Sequence, residues 1–326
     1  MLAVIRLKVM SERSLVSLET IFDSFECEVD WDLTMKCNYW CTYCESYNNE
    51  IPSNIKDLNT YIAGLNNLSD YLGNKKARIT LLGGEPMLFK HWDSLLNCIY
   101  DKNHIPRITT NLSVPLKTLI KKCETLKAKE CFDVTWHTQF DDVENYLPKV
   151  LYLHEKGLLR KLSIMADRRY WNKVVEAYES VKHLPGCEIN RIKDESHGSK
   201  QIAGSIINYT EDEINYIEAS HINEKNVFVT KVRYNDGSEE ELKSIDEYFS
   251  KNLTNFKGMY CEVGVNRFHI FPSGDIYPSA CFLNHMQARI GNIYKNNFKK
   301  ITRPVKCPFN FCGCGPDMRI TKYAER

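Results

Sequence analysis

Short apolar runs alternate with amphipathic stretches from Cys27 to Lys193, and no other feature constrains the fold as strongly. "CEVDWDL" (27–33), "ARITLLGGEP" (77–86), "PRITTN" (106–111), "CFDVTWHTQF" (131–140), "KLSIMAD" (161–167) and "CEINRIK" (187–193) read as strands. Between them, 57–72, 92–100, 115–126, 143–157 and 172–186 read as helices; Leu58, Tyr61, Ile62, Leu65, Leu68 and Leu72 share one face of the first. Pro115 opens the third helix and Gly157 stops the fourth. Six strands alternating with five helices imply βα units, a parallel sheet and right-handed crossovers. The expected fold class is α/β, a partial (β/α)6 barrel of the TIM kind. Chemistry in such barrels sits at the C-terminal ends of the strands. A cysteine loop at 37–44, Gly83–Pro86, Asn111, His137 and Asp167 all follow strand ends, so they should meet on one rim.

The alternation breaks near residue 194. "DESHGSK" (194–200) reads as a polar loop, and 209–220 as a helix with a capping box from Thr210 to Glu213. A hairpin is expected at 226–242 around Asn235-Asp236-Gly237, followed by a second cysteine-rich region over 258–319. The expected organisation is an N-terminal extension (1–26), a barrel core (27–224) and a small C-terminal domain (225–326).

Composition narrows the function. The 326 residues are 43% hydrophobic and 26% charged, ordinary for a globular chain, and the net charge of +1 gives no global field for nucleic acid or acidic lipid. No apolar run approaches the roughly 20 residues of a membrane span. The start "MLAVIRLKVMSERS" is too short and too charged for a secretory signal, which predicts a cytoplasmic location. Thirteen cysteines in a reducing compartment read, where clustered, as metal or iron–sulfur ligands. Cys98 and Cys123, in helical patterns, read as ordinary buried residues.

"MKCNYWCTYCES" (35–46) holds Cys37, Cys41 and Cys44, with Tyr43 just before the last. Zinc normally takes four ligands, and a disulfide would strand one thiol. Three thiols can instead take three corners of a [4Fe–4S] cube and leave the fourth iron open. This Cys-x3-Cys-x2-Cys spacing, followed by "LLGGEP" (81–86) after the next strand, resembles the radical S-adenosylmethionine (radical SAM) superfamily over about residues 28–193. The resemblance implies that S-adenosylmethionine fills the open iron site. It also implies that reductive cleavage gives a 5′-deoxyadenosyl radical, which abstracts hydrogen from substrate. It places Tyr43 near the adenine, Gly83 and Gly84 at a close backbone approach to the ligand, and Glu85 on the ligand's ammonium. Asn111 would bond the ligand or the substrate, and His137 would share the rim; the competing readings are a strand-end turn residue and a supporting histidine. Asp167 would meet ribose or adenine, although the family's small-residue pattern is not intact there. Arg168 and Arg169 read as a carboxylate or phosphate contact or as solvated charges.

"YCEVGVNRFHIFPSGDIYPSAC" and "VKCPFNFCGCGPDM" carry Cys261, Cys281, Cys307, Cys312 and Cys314. They resemble the Twitch or SPASM extensions of radical SAM enzymes, with Cys281 two residues later than usual. The five cysteines fall short of the about seven needed for two auxiliary clusters. The resemblance therefore implies one auxiliary [4Fe–4S] cluster held by four of the five, with one of the closely spaced Cys312 and Cys314 left free. A zinc site is the competing reading.

The expected activity is peptide modification by crosslinking or epimerisation. The alternatives are dehydrogenation or epimerisation of a sugar, aminoglycoside or nucleotide, and a non-catalytic iron–sulfur scaffold. The expected partners are a peptide or small-molecule substrate and an electron donor such as flavodoxin or ferredoxin. Neither nucleic acid nor membrane is expected, and the chain is expected to be a monomer.

Overall fold

The computed structural model describes residues 13–22, 24–44, 55–192, 202–221, 228–243, 245–282 and 286–325. The polar loop expected at 194–200, residue 193, the first two residues of the expected 226–242 hairpin and half of the N-terminal extension (1–12 and 23) fall outside them. Two compact units form: Ser24–Lys225 with Gly264–Thr302, and Met1–Asp23 with Asn226–Val263 and Arg303–Arg326.

The chain first forms β1 (Leu15–Ile21), a strand of the smaller unit. The larger unit then runs β2 (Cys27–Thr34), α1 (Leu58–Leu72), β3 (Ala77–Gly83), α2 (Trp92–Asp101), β4 (Ile105–Thr110), α3 (Leu116–Cys123), β5 (Phe132–Trp136), α4 (Val143–Glu155), β6 (Leu159–Met165), α5 (Trp171–Val181) and β7 (Cys187–Asn190). All six strands pair in parallel with their sequence neighbours, as the alternation predicts. Helices α6 (Gly204–Ile207) and α7 (Glu211–Ser220) follow, and Thr210 and Glu213 form the expected capping box.

The smaller unit resumes with β8 (Val229–Tyr234), β9 (Glu239–Leu242), α8 (Ile245–Ser250) and β10 (Tyr260–Cys261). Gly237, at φ +83°, turns the expected hairpin between β8 and β9. The next segment belongs to the larger unit. There β11 (Arg267–Ile270) pairs in parallel with β2, and β12 (Asp275–Tyr277) and β13 (Gly291–Asn292) add antiparallel strands beyond it. The chain ends in the smaller unit with β14 (Val305–Lys306), α9 (Gly315–Met318) and β15 (Lys322–Tyr323). Two departures from the sequence reading follow. Residues 264–302, expected in the C-terminal domain, extend the larger sheet. Residues 15–21, expected as an extension, form a central strand of the small sheet, ordered β14-β10-β15-β1-β8-β9.

The faces of β2 explain the larger unit's packing. Val29, Trp31 and Leu33 enter the apolar core with Tyr61, Leu65 and Leu68 of α1. Trp31 meets Tyr61 edge-on at 5.8 Å. The alternate residues are acidic: Glu28 pairs with Arg78, Asp30 with Arg267, and Asp32 with His269 at 2.7 Å. Buried pairs of this kind fix register more than they add stability. Here they lock β2 between β3 and β11, which fixes where its C-terminal end delivers the cysteine loop.

Burial pulls the His269 pKa down, but the Asp32 carboxylate outweighs it, so the folded value lies above the ordinary one. Stability from this pair should therefore be complete below about pH 6.5, the unfolded histidine's value, and fade as pH rises through the higher folded value. Urea unfolding of wild type and His269→Gln at a series of pH values checks this. Their difference should narrow above neutrality; a difference independent of pH contradicts it.

Candidate functional site

The strand ends meet as expected. Cys37, Cys41 and Cys44 line a cavity of about 120 Å3 together with Gly83–Glu85 after β3, Asn111 after β4 and His137 after β5. Tyr39, Leu82, Thr109, Thr110 and Thr135 complete the wall.

The glycines serve the backbone. Gly84 N–H donates to Thr34 O at 2.7 Å, and Glu85 N–H to Lys36 O at 2.9 Å. A Cβ at Gly83 would stand 1.9 Å from Thr34 O, and one at Gly84 2.2 Å from Lys36 O. Gly83 also holds φ +123°, closed to ordinary side chains. The close approach expected toward a ligand is thus made, in this structure, toward the backbone that leads into the cysteine loop.

Glu85 is 1% exposed. Its Oε1 accepts from Met87 N–H at 2.9 Å and Thr110 Oγ1–H at 2.7 Å, and its Oε2 from Asn111 N–H at 2.8 Å. Burial pushes its pKa up to about 7 against those three donors. The described wall contains no lysine or arginine, so a cationic group on a ligand would meet a carboxyl and three thiols without a competing fixed cation.

Two of the three thiols, Cys37 and Cys41, have a local partner. Tyr39 N–H donates to Cys37 Sγ at 3.3 Å, and the Asn111 side-chain amide reaches the same sulfur at 3.7 Å and Asn38 Oδ1 at 3.1 Å. His137 Nδ1 lies 2.7 Å from Tyr43 Oη and 3.4 Å from Cys41 Sγ. Tyr43 stacks on the His137 ring at 6.0 Å. Burial pulls the His137 pKa down to about 4, so the imidazole is neutral and supports the loop. Burial pushes the Cys41 thiol up to about 12, reinforced by Cys44, and raises Cys37 as well. A ligand that needs thiolates must supply positive charge to offset this.

Sequence reading missed an aromatic and charged collar. Tyr39 donates to the Asp141 carboxylate and stacks on Phe140 at 4.5 Å, and Trp40, 54% exposed, meets Phe140 edge-on. Only the position of "TQFDD" just after a strand end could have flagged it. Asp167 is not among the residues lining the cavity. Its carboxylate binds the Arg169 guanidinium, which also donates to Thr42 Oγ1 at 2.9 Å, inside the cysteine loop. Arg168 pairs with Glu213 at 3.0 Å. Both arginines therefore have internal carboxylate partners.

Of the second set, Cys261, Cys307, Cys312 and Cys314 lie in the smaller unit, and Cys281 in the larger, 2.9 Å from Ser279 Oγ. Cys261 on β10 sits between β14 and β15. Cys307 exchanges backbone bonds of 2.8 Å with Gly258 and Met259, and Cys312 N–H donates to Thr254 O at 2.7 Å. Cys123 is buried as expected, and Cys98 is half-buried. Among the described residues, no three of His, Cys, Asp or Glu converge as one metal ion would require. Thiols that take separate corners of an iron–sulfur cube do not share one point; the cavity's three thiols, and the mutually interacting thiols of Cys261, Cys307 and Cys312 in the smaller unit, are donors of the type such a cube takes.

Solved structures share this architecture. SuiB from Streptococcus suis, bound to S-adenosylmethionine, is 17% identical with a TM-score of 0.53, over 83% of this chain and 64% of its own. SuiB bound to its precursor peptide SuiA gives 17% and 0.53, over 85% and 64%. His-tagged anSMEcpe with bound S-adenosylmethionine gives 15% and 0.55, over 84% and 77%. The chain has the partial-barrel fold of radical SAM enzymes. It spans about two thirds of SuiB's length, at 64%. No protein-family model matches the sequence, and a search of curated proteins returns no match. Among the described residues, no helix is long and apolar enough to cross a membrane.

Two variants test this geometry. Gly84→Ala should displace the cysteine loop and at least halve the iron retained at Cys37, Cys41 and Cys44 after anaerobic reconstitution; full retention contradicts it. Glu85→Ala strands three buried donors and should cost about 1–3 kcal/mol in urea unfolding. A cost near zero contradicts the three-donor arrangement.

Proposed function

We propose that this chain is a radical SAM enzyme acting on a peptide. One observation carries the reading: three thiols line a single cavity at the rim of the parallel sheet. The fold's solved neighbours, SuiB and anSMEcpe, carry S-adenosylmethionine, and SuiB has been solved with its precursor peptide.

Cys37, Cys41 and Cys44 would hold a [4Fe–4S] cluster, which supplies, when bound, an electron for reductive cleavage of S-adenosylmethionine and so the radical that takes hydrogen from substrate. Tyr39 N–H and the Asn111 amide orient the Cys37 sulfur. His137 and Tyr43 buttress Cys41. Glu85 offers a buried carboxylate to the methionyl ammonium, whose charge would draw its pKa below about 7. Tyr39, in the cavity wall and stacked on Phe140, would help keep water from the cavity, as radical chemistry requires. Asp167, through Arg169 and Thr42, steadies the loop rather than meeting the nucleoside. Four of the five cysteines of the second set, those of the smaller unit (Cys261, Cys307, Cys312 and Cys314), would hold one auxiliary [4Fe–4S] cluster. We read the location as cytoplasmic, the reductant as flavodoxin or ferredoxin, and the chain as a monomer.

The reduced, reconstituted protein should convert S-adenosylmethionine to methionine and 5′-deoxyadenosine, measured by chromatography. Alanine at Cys37, Cys41 or Cys44 should abolish this, and product from any of the three variants would falsify the reading. With a deuterated candidate peptide, label should appear in 5′-deoxyadenosine. Label arriving only from a sugar or nucleotide moves the substrate class to small molecules.

A further inference from the structure

Lys322 is a lysine where a lysine is costly. It is 1% exposed, and an ammonium taken out of water needs compensation. Its Nζ donates to three carbonyls, Asp317 O at 2.7 Å, Ile320 O at 2.8 Å and Met318 O at 2.9 Å, so its three N–H groups are all used. Two of those carbonyls belong to α9. The Phe256 ring lies 4.6 Å away. These dipoles solvate the charge without cancelling it. The buried carboxylate of Asp317 also acts on it from α9, without an ion pair between the two.

The register places thiols around it. Cys261 and Lys322 are Cα partners across β10 and β15, so their side chains share one face of the small sheet. Cys307 is tied by backbone bonds to Gly258 and Met259 just before β10, and the Cys307 and Cys312 thiols both lie close enough to Cys261 to interact with it electrostatically.

We propose that Lys322 is the built-in countercharge of the auxiliary cluster, a positioning and tuning residue that stabilises the cluster's reduced, more negative state. This rests on the auxiliary-cluster reading above. Reduction adds one negative charge to a centre held by Cys261 and its neighbours. A fixed ammonium on the same sheet face favours that charge, and hydrogen bonds to three carbonyls keep it in place. Removing the charge should make the midpoint potential more negative.

The test uses the full chain with Cys37, Cys41 and Cys44 replaced by alanine, so that only the second cysteine set can bind iron. Absence of iron and sulfide in this parent overturns the auxiliary-cluster reading, and the inference with it, before Lys322 is touched. With the cluster present, Lys322→Gln keeps hydrogen-bond donors for the carbonyls and removes the charge. EPR-monitored redox titration should show at least a tenfold loss in the reduction equilibrium, about 59 mV more negative for one electron. Lys322→Arg should stay near the parent. An unchanged potential in Lys322→Gln overturns the proposal even if stability falls. Should Lys322→Gln fail to fold, the parent labelled with 15N-lysine in a Lys306→Arg background decides. A lysine 15N coupling to the reduced cluster supports the proposal, and its absence overturns it.

Discussion

Two backbone hydrogen bonds hold the candidate site together: Gly84 N–H to Thr34 O and Glu85 N–H to Lys36 O. They continue the β2–β3 pairing past the strand ends and zip the Gly-Gly-Glu segment to the chain entering the cysteine loop. A Cβ at either glycine would collide with that backbone. Placement of the three thiols, the carboxylate of Glu85 and the Asn111 amide all follows, because Glu85 accepts from Asn111 N–H and Asn111 reaches Cys37. Two motifs more than 40 residues apart in the chain thereby become one wall.

That wall needs a fixed β2. The strand is apolar on one face, where Trp31 packs against Tyr61, and acidic on the other, where Glu28, Asp30 and Asp32 find Arg78, Arg267 and His269. A slip of one residue would bury three carboxylates in the apolar core and expose Trp31 to the charged interior. Charge pairing thus specifies the register that aims the loop. It also explains why β11, far away in sequence, belongs to this sheet: Arg267 and His269 are the partners Asp30 and Asp32 require.

Much of this was legible in the sequence. The six parallel strands and five helices follow from hydrophobic period alone, and the capping box at Thr210 and the Asn-Asp-Gly hairpin follow from local chemistry. The convergence of Cys37, Cys41, Cys44, Glu85, Asn111 and His137 follows from their places at strand ends. What escaped is non-local. Nothing near Arg267 announces a parallel pairing with β2, and nothing near Leu15 announces a central strand between β8 and β15. Asp167 looked available for a ligand because its neutraliser, Arg169, is two residues away and its purpose, Thr42, is in another loop. The glycines of "LLGGEP" signal close approach, but the sequence does not say to what.

The central claim is that the cysteine triplet carries a cluster with one iron open to S-adenosylmethionine. EPR of the anaerobically reduced protein, recorded before and after adding S-adenosylmethionine, tests it most directly. The account predicts that the signal lost in the variant lacking Cys37, Cys41 and Cys44 is the one whose g values move on addition, while any signal from the second cysteine set stays put. A triplet-dependent signal indifferent to S-adenosylmethionine would contradict it.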